Sequence, residues 1–362
     1  MKPIFLVFSA WLMMILIFTA SVQSTQPPTP AQEQESPSKE GFSDSGLVAL
    51  EAFLADAGSS SMLILKDGEE VFRWGSVEKR HVIHSMRKPL ISALYGKYIA
   101  AGVIDVDSTL AQNNINDIAP ALSEQELSAS VSDLLKSRSG VYHNAAANSL
   151  GMIQNRPVRE THLPGKHYFY NNWDFNVLGA LLEQKTGKSV FTLFLEDIAL
   201  PLGMAQYQGQ YTRIDGEDDN AKIPTTDGFY QYETSKSQFP AYHFRMSALD
   251  LAKFGQLYLN KGKWAQEQII PSQWIEQSTQ PYSVFNPKYG IAYGMMWFVL
   301  METETREHRA FYHTGNGVHF LGVYPHSNVV IVHRVDTEKA YRFTQQDFYV
   351  MINKVWGAYG KK

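Results

Sequence analysis

Ser85-Met86-Arg87-Lys88 opens an apolar-periodic run through Ile91, Leu94 and Tyr98. Residues three apart share a helix face, so this spacing puts the Lys88 amine over the Ser85 hydroxyl, where a neutral amine could take the hydroxyl proton. A serine at a helix N-terminus also has unpaired backbone N–H groups nearby, the donors that a developing oxyanion needs. The same residues have a structural use, with Ser85 as an N-cap and Lys88 on a solvated face. The spacing is also common, since Ser36 to Lys39 repeats it in a polar stretch that cannot build a site.

Tyr170-Asn171-Asn172 follows Pro164-Gly165 and precedes a long apolar helix pattern. A tyrosine beside a lysine ammonium is expected to have a depressed pKa and to serve as a base, and the Asn172 amide could hold a substrate carbonyl. Tyr142 to Asn144 and Tyr258 to Asn260 share the Tyr-x-Asn pattern. Tyr258 ends a helix beside Lys261-Gly262 and reads as structural, while Tyr142, after Arg138-Ser139-Gly140, competes for the role or lines the cleft.

The third element is His313-Thr314-Gly315, which ends the strand-like Ala310-Phe311-Tyr312 and runs into Asn316-Gly317. Gly315 would let a substrate backbone approach the strand, and the Asn316 N–H could be a second oxyanion donor. The alternative is a plain hairpin turn with an exposed histidine. Lys185-Thr186-Gly187 spells a similar pattern, but at a helix end, where Gly187 is a cap.

These three elements in this order resemble the serine β-lactamase, penicillin-binding and esterase superfamily across nearly the whole chain after the leader. Arg138-Ser139-Gly140, Pro164-Gly165, Asn176-Val177-Leu178-Gly179, Pro201-Leu202-Gly203-Met204 and Tyr289-Gly290 through Tyr293-Gly294 add to the likeness. The Tyr-x-Asn and His-Thr-Gly forms look like the branch with class C β-lactamases, D-amino-acid peptidases, esterases and 6-aminohexanoate-dimer hydrolases. The resemblance implies a serine hydrolase that forms an acyl-enzyme on Ser85, with Lys88 and Tyr170 as its bases. It implies substrate contacts from Asn172, His313, Thr314, Gly315, Asn316 and Tyr142. The substrate would be a small amide or ester, peptidoglycan-derived compounds among the candidates. A relative that acylates with little turnover, as a penicillin or peptidoglycan sensor, is the alternative, and an inactive binding protein a third.

Two departures stand out. Pro89 follows Lys88, where only the first helical turn tolerates it. His313 replaces the lysine of most β-lactamases, so its charge is conditional, and Lys166 or Arg245 are the residues to examine for a fixed cation.

The elements that must position these residues can be read coarsely. Ser61–Leu65 and Val71–Trp74 flank Lys66-Asp67-Gly68 as a hairpin. Helices are expected over Pro89–Ala101, Val131–Lys136, Trp173–Lys185, Val190–Ala199, Ala248–Leu259 and Arg342–Trp356. Strands are expected to return only near the end, over Ala292–Leu300, Ala310–His313, Phe320–Tyr324 and Val329–Val335. The prediction is an α/β fold of the α+β kind, with a mostly antiparallel sheet built from both chain ends, flanking helices and an inserted helical region.

Lys2, the uncharged run from Ile4 to Ala20, and small residues at Val22 and Ser24 predict a signal peptide over 1–24 and a periplasmic or secreted protein. An uncleaved anchor is the alternative, and only it would bring the protein to a membrane. Residues 25–41, rich in Pro, Gln, Glu and Ser, read as a flexible linker, with the hydrolase domain over 42–362. With no cysteine there is no disulfide, lipidated N-terminus or cysteine–metal site. A net charge of −4 without a basic block gives no footprint for nucleic acid. No Gly-x-Ser-x-Gly and no His-Glu-x-x-His occurs, and neither a metal nor a cofactor is implied.

Overall fold

The computed structural model describes residues 41–360. The expected signal over 1–24 and all but the last residue of the expected linker over 25–41 lie outside the described residues. Helix α1 (Asp44–Ala57) precedes the hairpin of β1 (Ser61–Lys66) and β2 (Glu69–Gly75). Strand β3 (His81–Val82) leads through a 3₁₀ turn at His84–Met86 into α2 (Arg87–Ala100). The helical region continues with α3 (Glu124–Leu127), α4 (Val131–Leu135), α5 (Leu150–Gln154), α6 (Asn172–Thr186) and α7 (Val190–Phe194). Strands β4 (Tyr211–Asp215), β5 (Gly228–Tyr232) and β6 (Ala241–Met246) follow, then α8 (Ala248–Leu259), a small hairpin of β7 (Lys263–Trp264) and β8 (Glu267–Gln268), and α9 (Ser272–Ser278). The chain closes with β9 (Ser283–Asn286), β10 (Ile291–Tyr293), β11 (Phe298–Leu300), β12 (Ala310–Gly315), β13 (His319–Tyr324), β14 (Val329–Arg334) and α10 (Gln345–Ala358).

The main sheet has the order β2-β1-β14-β13-β12-β11-β10-β9, antiparallel throughout, so both chain ends do build it. The expected hairpin closes through a two-residue turn, with Asp67 and Gly68 both at positive φ (52° and 84°), which matches the twist of the flanking strands. Met62, Ile64, Val329 and Ile331 pack with Leu50 and Leu54 of α1 and with Phe348 and Met351 of α10. Their neighbours Leu63, Val330 and Val332 face the other way, into the core that holds Leu251, Phe254 and Leu257 of α8. Successive strand residues point to opposite faces, and because helices cover both, these strands are apolar at nearly every position. Each such fully buried aliphatic side chain contributes about 1.5–3 kcal/mol, which makes the sheet a rigid platform.

The structure departs from the expected elements at four places. Strands do not return only at the end: β3, β6, β5 and β4 form a second sheet within the middle of the chain, with β4 and β5 parallel. Its strands carry aromatics on both faces and lack a clean alternation, which hid them. Ala292–Leu300 is two strands, because Gly294 to Trp297 turn the chain back so that β10 pairs with β11. Helix α1 went unread, although Ser43 caps it by accepting from the Gly46 N–H and Gly58 ends it at φ 80°. The expected helix over Val190–Ala199 also changes pitch, from α7 into a π turn at Leu195–Ala199.

Candidate active site

Ser85 sits where β3 gives way to α2. The ladder pairs His81 with Met246 and Val82 with Arg245, and the Ile83 N–H donates to the Phe244 carbonyl, so the approach to Ser85 is pinned to β6. Helix α2 begins at Arg87, and Pro89 is its third residue, within the turn whose N–H groups have no partner inside the helix.

The register brings Lys88 Nζ to 3.0 Å from Ser85 Oγ. Lys88 is completely buried, its amine 4.5 Å from the ring centroid of Phe175 and 4.7 Å from that of Tyr170, with Asn172 Oδ1 at 3.4 Å. Burial, and then the Arg87 guanidinium, hold the amine well below the usual lysine pKa. A neutral amine at this distance is placed to accept the serine proton.

Tyr170 precedes α6, whose N-cap is Asn171. Its ring packs among Phe175, Tyr293 and Phe298, and its hydroxyl hydrogen-bonds with Ser85. The expected depressed pKa is not what the structure gives. Burial pushes the phenol up, with Ser85 and Arg87 only partly opposing it, because enclosure disfavours the charged phenolate. Tyr170 is therefore a protonated hydroxyl able to donate and relay.

Asn172 also departs from the simplest reading. Its Nδ2 donates to the Ala147 carbonyl at 2.5 Å, and its Oδ1 faces Lys88, so these groups anchor the lysine. Tyr142 is held by His162 Nδ1 at 2.9 Å and packs edge-on against His162 and Phe169.

The ladder of β11 with β12 ends at Phe298–Tyr312, so His313 to Gly315 run past it toward Ser85. A Cβ on Gly315 would lie 2.5 Å from the Ile83 carbonyl oxygen and 3.3 Å from His84 Cβ. Only glycine lets this strand close on the turn that leads into Ser85. Thr314 is half-buried, and the exposed Asn316 follows in the turn beyond the last ladder pair, Gly315 with His319. His313 is fully buried, so the alternative of a turn with an exposed histidine fails. Its Nδ1–H donates to the Thr314 carbonyl at 2.8 Å, which leaves Nε2 as an acceptor. Burial, the largest cause, holds it well below the usual histidine pKa.

The decoys fall where their alternatives put them. Gly187 caps α6 at φ 70°, and Tyr258 is buried against Trp297 and Phe311. Arg245 is committed to Glu338, and Lys166 is exposed. Reasoning from sequence missed Arg87, which is buried with its guanidinium 5.0 Å over the Tyr242 ring and an Nη2 contact of 3.4 Å to Asn176 Oδ1. Its position inside the Ser85–Lys88 spacing was the available signal. His84 and Thr337 were missed as well, and no motif marks them.

This geometry is matched in sequence: the profile of the β-lactamase family covers residues 49–351. The chain belongs to the β-lactamase family. Among curated relatives of this β-lactamase-family chain, the D-aminopeptidase of Brucella anthropi is 30% identical over 165 residues, 40% of this chain and 31% of that protein. The chain thus spans about a third of that relative's length. The octameric penicillin-binding protein homologue from Pyrococcus abyssi superposes with a TM-score of 0.62 at 19% identity, over 88% of this chain and 79% of that one. EstCE1, a hydrolase with promiscuous acyltransferase activity, gives 0.62 at 16%, over 88% and 98%. At such identities these structures speak to the fold, while the profile match over residues 49–351 carries the family.

Proposed function

We propose that this hydrolase is exported and cleaves an amide or ester bond through an acyl-enzyme on Ser85. The observation that carries the proposal is the fully buried Lys88 amine 3.0 Å from Ser85 Oγ. Ser85 Oγ attacks the substrate carbonyl carbon as its proton passes to Lys88 Nζ. The oxyanion is held by the Ser85 and Asn316 backbone N–H groups. Tyr170, a neutral phenol in contact with Ser85, gives its proton to the departing amine or alcohol and is reprotonated from Lys88. Water then attacks the acyl carbon by the reverse route, regenerating Ser85. The aromatic walls and the uncharged His313 suit a small, neutral substrate, with peptidoglycan-derived amides as one class to try.

Burst kinetics with a chromogenic ester test the reading. Sustained turnover is expected. One equivalent released without further product would make the protein an acylating sensor, and none at all an inert binder. Ser85→Ala should abolish turnover and labelling by a serine-reactive phosphonate, with stability within about 1 kcal/mol of wild type. Export is checked by the mass of the protein recovered outside the cytoplasm, expected to begin at Thr25.

A further inference from the structure

The two proposed oxyanion donors lie on different elements, and one side chain touches the neighbours of both. Beyond β14 the chain crosses β3. Glu338 accepts from the Val82 N–H at 2.9 Å and from Arg245, and Asp336 accepts from Lys79 at 2.8 Å. Thr337 lies between these two clamped residues, and its Oγ1 is 2.8 Å from His84 Nε2 and 3.3 Å from His319 Nε2.

The proton positions follow from the partners. A guanidinium only donates, and Arg334 Nε lies 3.0 Å from His319 Nδ1, so that nitrogen accepts. His319 Nε2 then carries the proton and donates to Thr337 Oγ1, and the Thr337 hydroxyl is bonded in turn to His84 Nε2. Arg334 is itself fixed, buried and donating to the His81 carbonyl at 3.0 Å. Burial brings His84 down to about 4, so the chain keeps this arrangement at neutral pH.

His84 immediately precedes Ser85 and sits at φ 49°, a left-handed conformation that a histidine holds only when its surroundings impose it. On its other side, Thr337 meets the turn after Asn316: a Cβ on Gly317 would lie 2.2 Å from Thr337 Cγ2. The hydroxyl of Thr337 thus tethers the residue before Ser85, while its methyl buttresses the residue after Asn316.

We propose that Thr337 is a positioning residue that sets the separation of the Ser85 and Asn316 backbone N–H groups. The inference rests on Ser85 being the nucleophile. It concerns a residue that touches no substrate and acts through His84 and Gly317.

The test compares Thr337→Val, which keeps shape and loses the hydroxyl, with Thr337→Ser, which keeps the hydroxyl. Active sites are titrated with a phosphonate, kcat and KM are measured with a chromogenic ester, and Ki is measured for a boronic acid that forms a tetrahedral anion on serine. Thr337→Val should lower kcat per titrated site about 10–100-fold with KM changed by less than about 3-fold, the signature of a misplaced transition-state contact. The boronic acid should weaken by the same factor, Thr337→Ser should recover most of kcat, and the pH profile should keep its shape. His84→Asn, which tolerates the left-handed backbone but falls short of Thr337, should reproduce the loss and stands in if Thr337→Val does not fold. A loss confined to the number of titratable sites, with normal kcat per site, would overturn the proposal in favour of a merely structural threonine. If wild type is not labelled at Ser85, the nucleophile assignment falls and takes this inference with it. If wild type is labelled and the variants match it, only this inference falls.

Discussion

Lys88→Met removes the amine and keeps most of the stem, and it should make the protein more stable as it makes it inactive. Holding a lysine neutral at pH 7.5 costs about 4 kcal/mol, from a reference pKa of ~10.4 and ~1.36 kcal/mol per unit. Against this, the variant loses the 3.0 Å contact with Ser85 and leaves Asn172 Oδ1 without the amine at 3.4 Å, a cost of about 1–3 kcal/mol. The net expectation is a gain of about 1–3 kcal/mol, or a Tm higher by roughly 2–6 °C at ~2 °C per kcal/mol for a domain of this size. The pH dependence is sharper than the magnitude. The Lys88 pKa is depressed in the folded protein, so between the folded and unfolded values the unfolded chain binds the extra proton and wild-type stability rises with pH. The variant lacks that dependence. Its advantage should therefore shrink by ~1.36 kcal/mol per unit as pH climbs from 7.5 toward 10, and widen on acidification until Lys88 protonates in the folded state. Urea unfolding of both proteins at pH 7, 8, 9 and 10 measures this. A variant no more stable at pH 7.5, with a gap flat in pH, would mean that Lys88 is charged in the fold and cannot be the base.

Tyr170→Phe should cut kcat by about 10²–10⁴, the range for a positioned proton donor, whereas Tyr142→Phe, which loses its bond to His162, should act mainly on KM. The reverse order in steady-state kinetics would put the tyrosine motif in the wrong register. Burial holds His313 well below the usual histidine pKa, so wild-type selectivity between an anionic substrate and its neutral counterpart should owe nothing to His313 ionisation between pH 6 and 8. His313→Lys should raise the anionic-to-neutral kcat/KM ratio, and an unchanged ratio would place this side chain away from the substrate.

The Ser85–Lys88 juxtaposition was legible because three residues along a helix fix a direction in space. The closing of His313 to Gly315 on that turn was legible only through a family resemblance, since no local rule brings β12 to β3. The main sheet was readable from its ends, where Met62 and Ile64 against Leu63 reveal a strand covered on both sides. The second sheet was not, because the aromatics of β5 and β6 break the period of two. The ionisation states could not be read at all. Proximity suggested an ammonium lowering its tyrosine neighbour, but desolvation depends on rings contributed by distant segments, such as Phe175 and Phe298. Thr337 was invisible for the same reason: its importance lies in touching two turns that only the fold brings together.

One physical cause then sets both partners of the serine. Enclosure by Phe175, Tyr293 and Phe298 disfavours whichever form of a group is charged, so it lowers the Lys88 amine and raises the Tyr170 phenol. In the proposed mechanism, two groups that would both be protonated in water at neutral pH take opposite duties, one as a neutral base and the other as a neutral acid. Arg87 adds the remaining push, a buried cation next to the lysine in sequence. In the proposed mechanism the Ser85 and Asn316 backbone N–H groups hold the oxyanion, and because Asn316 is exposed their effect rests on placement more than on desolvation. The placement of those two donors therefore bears directly on the rate.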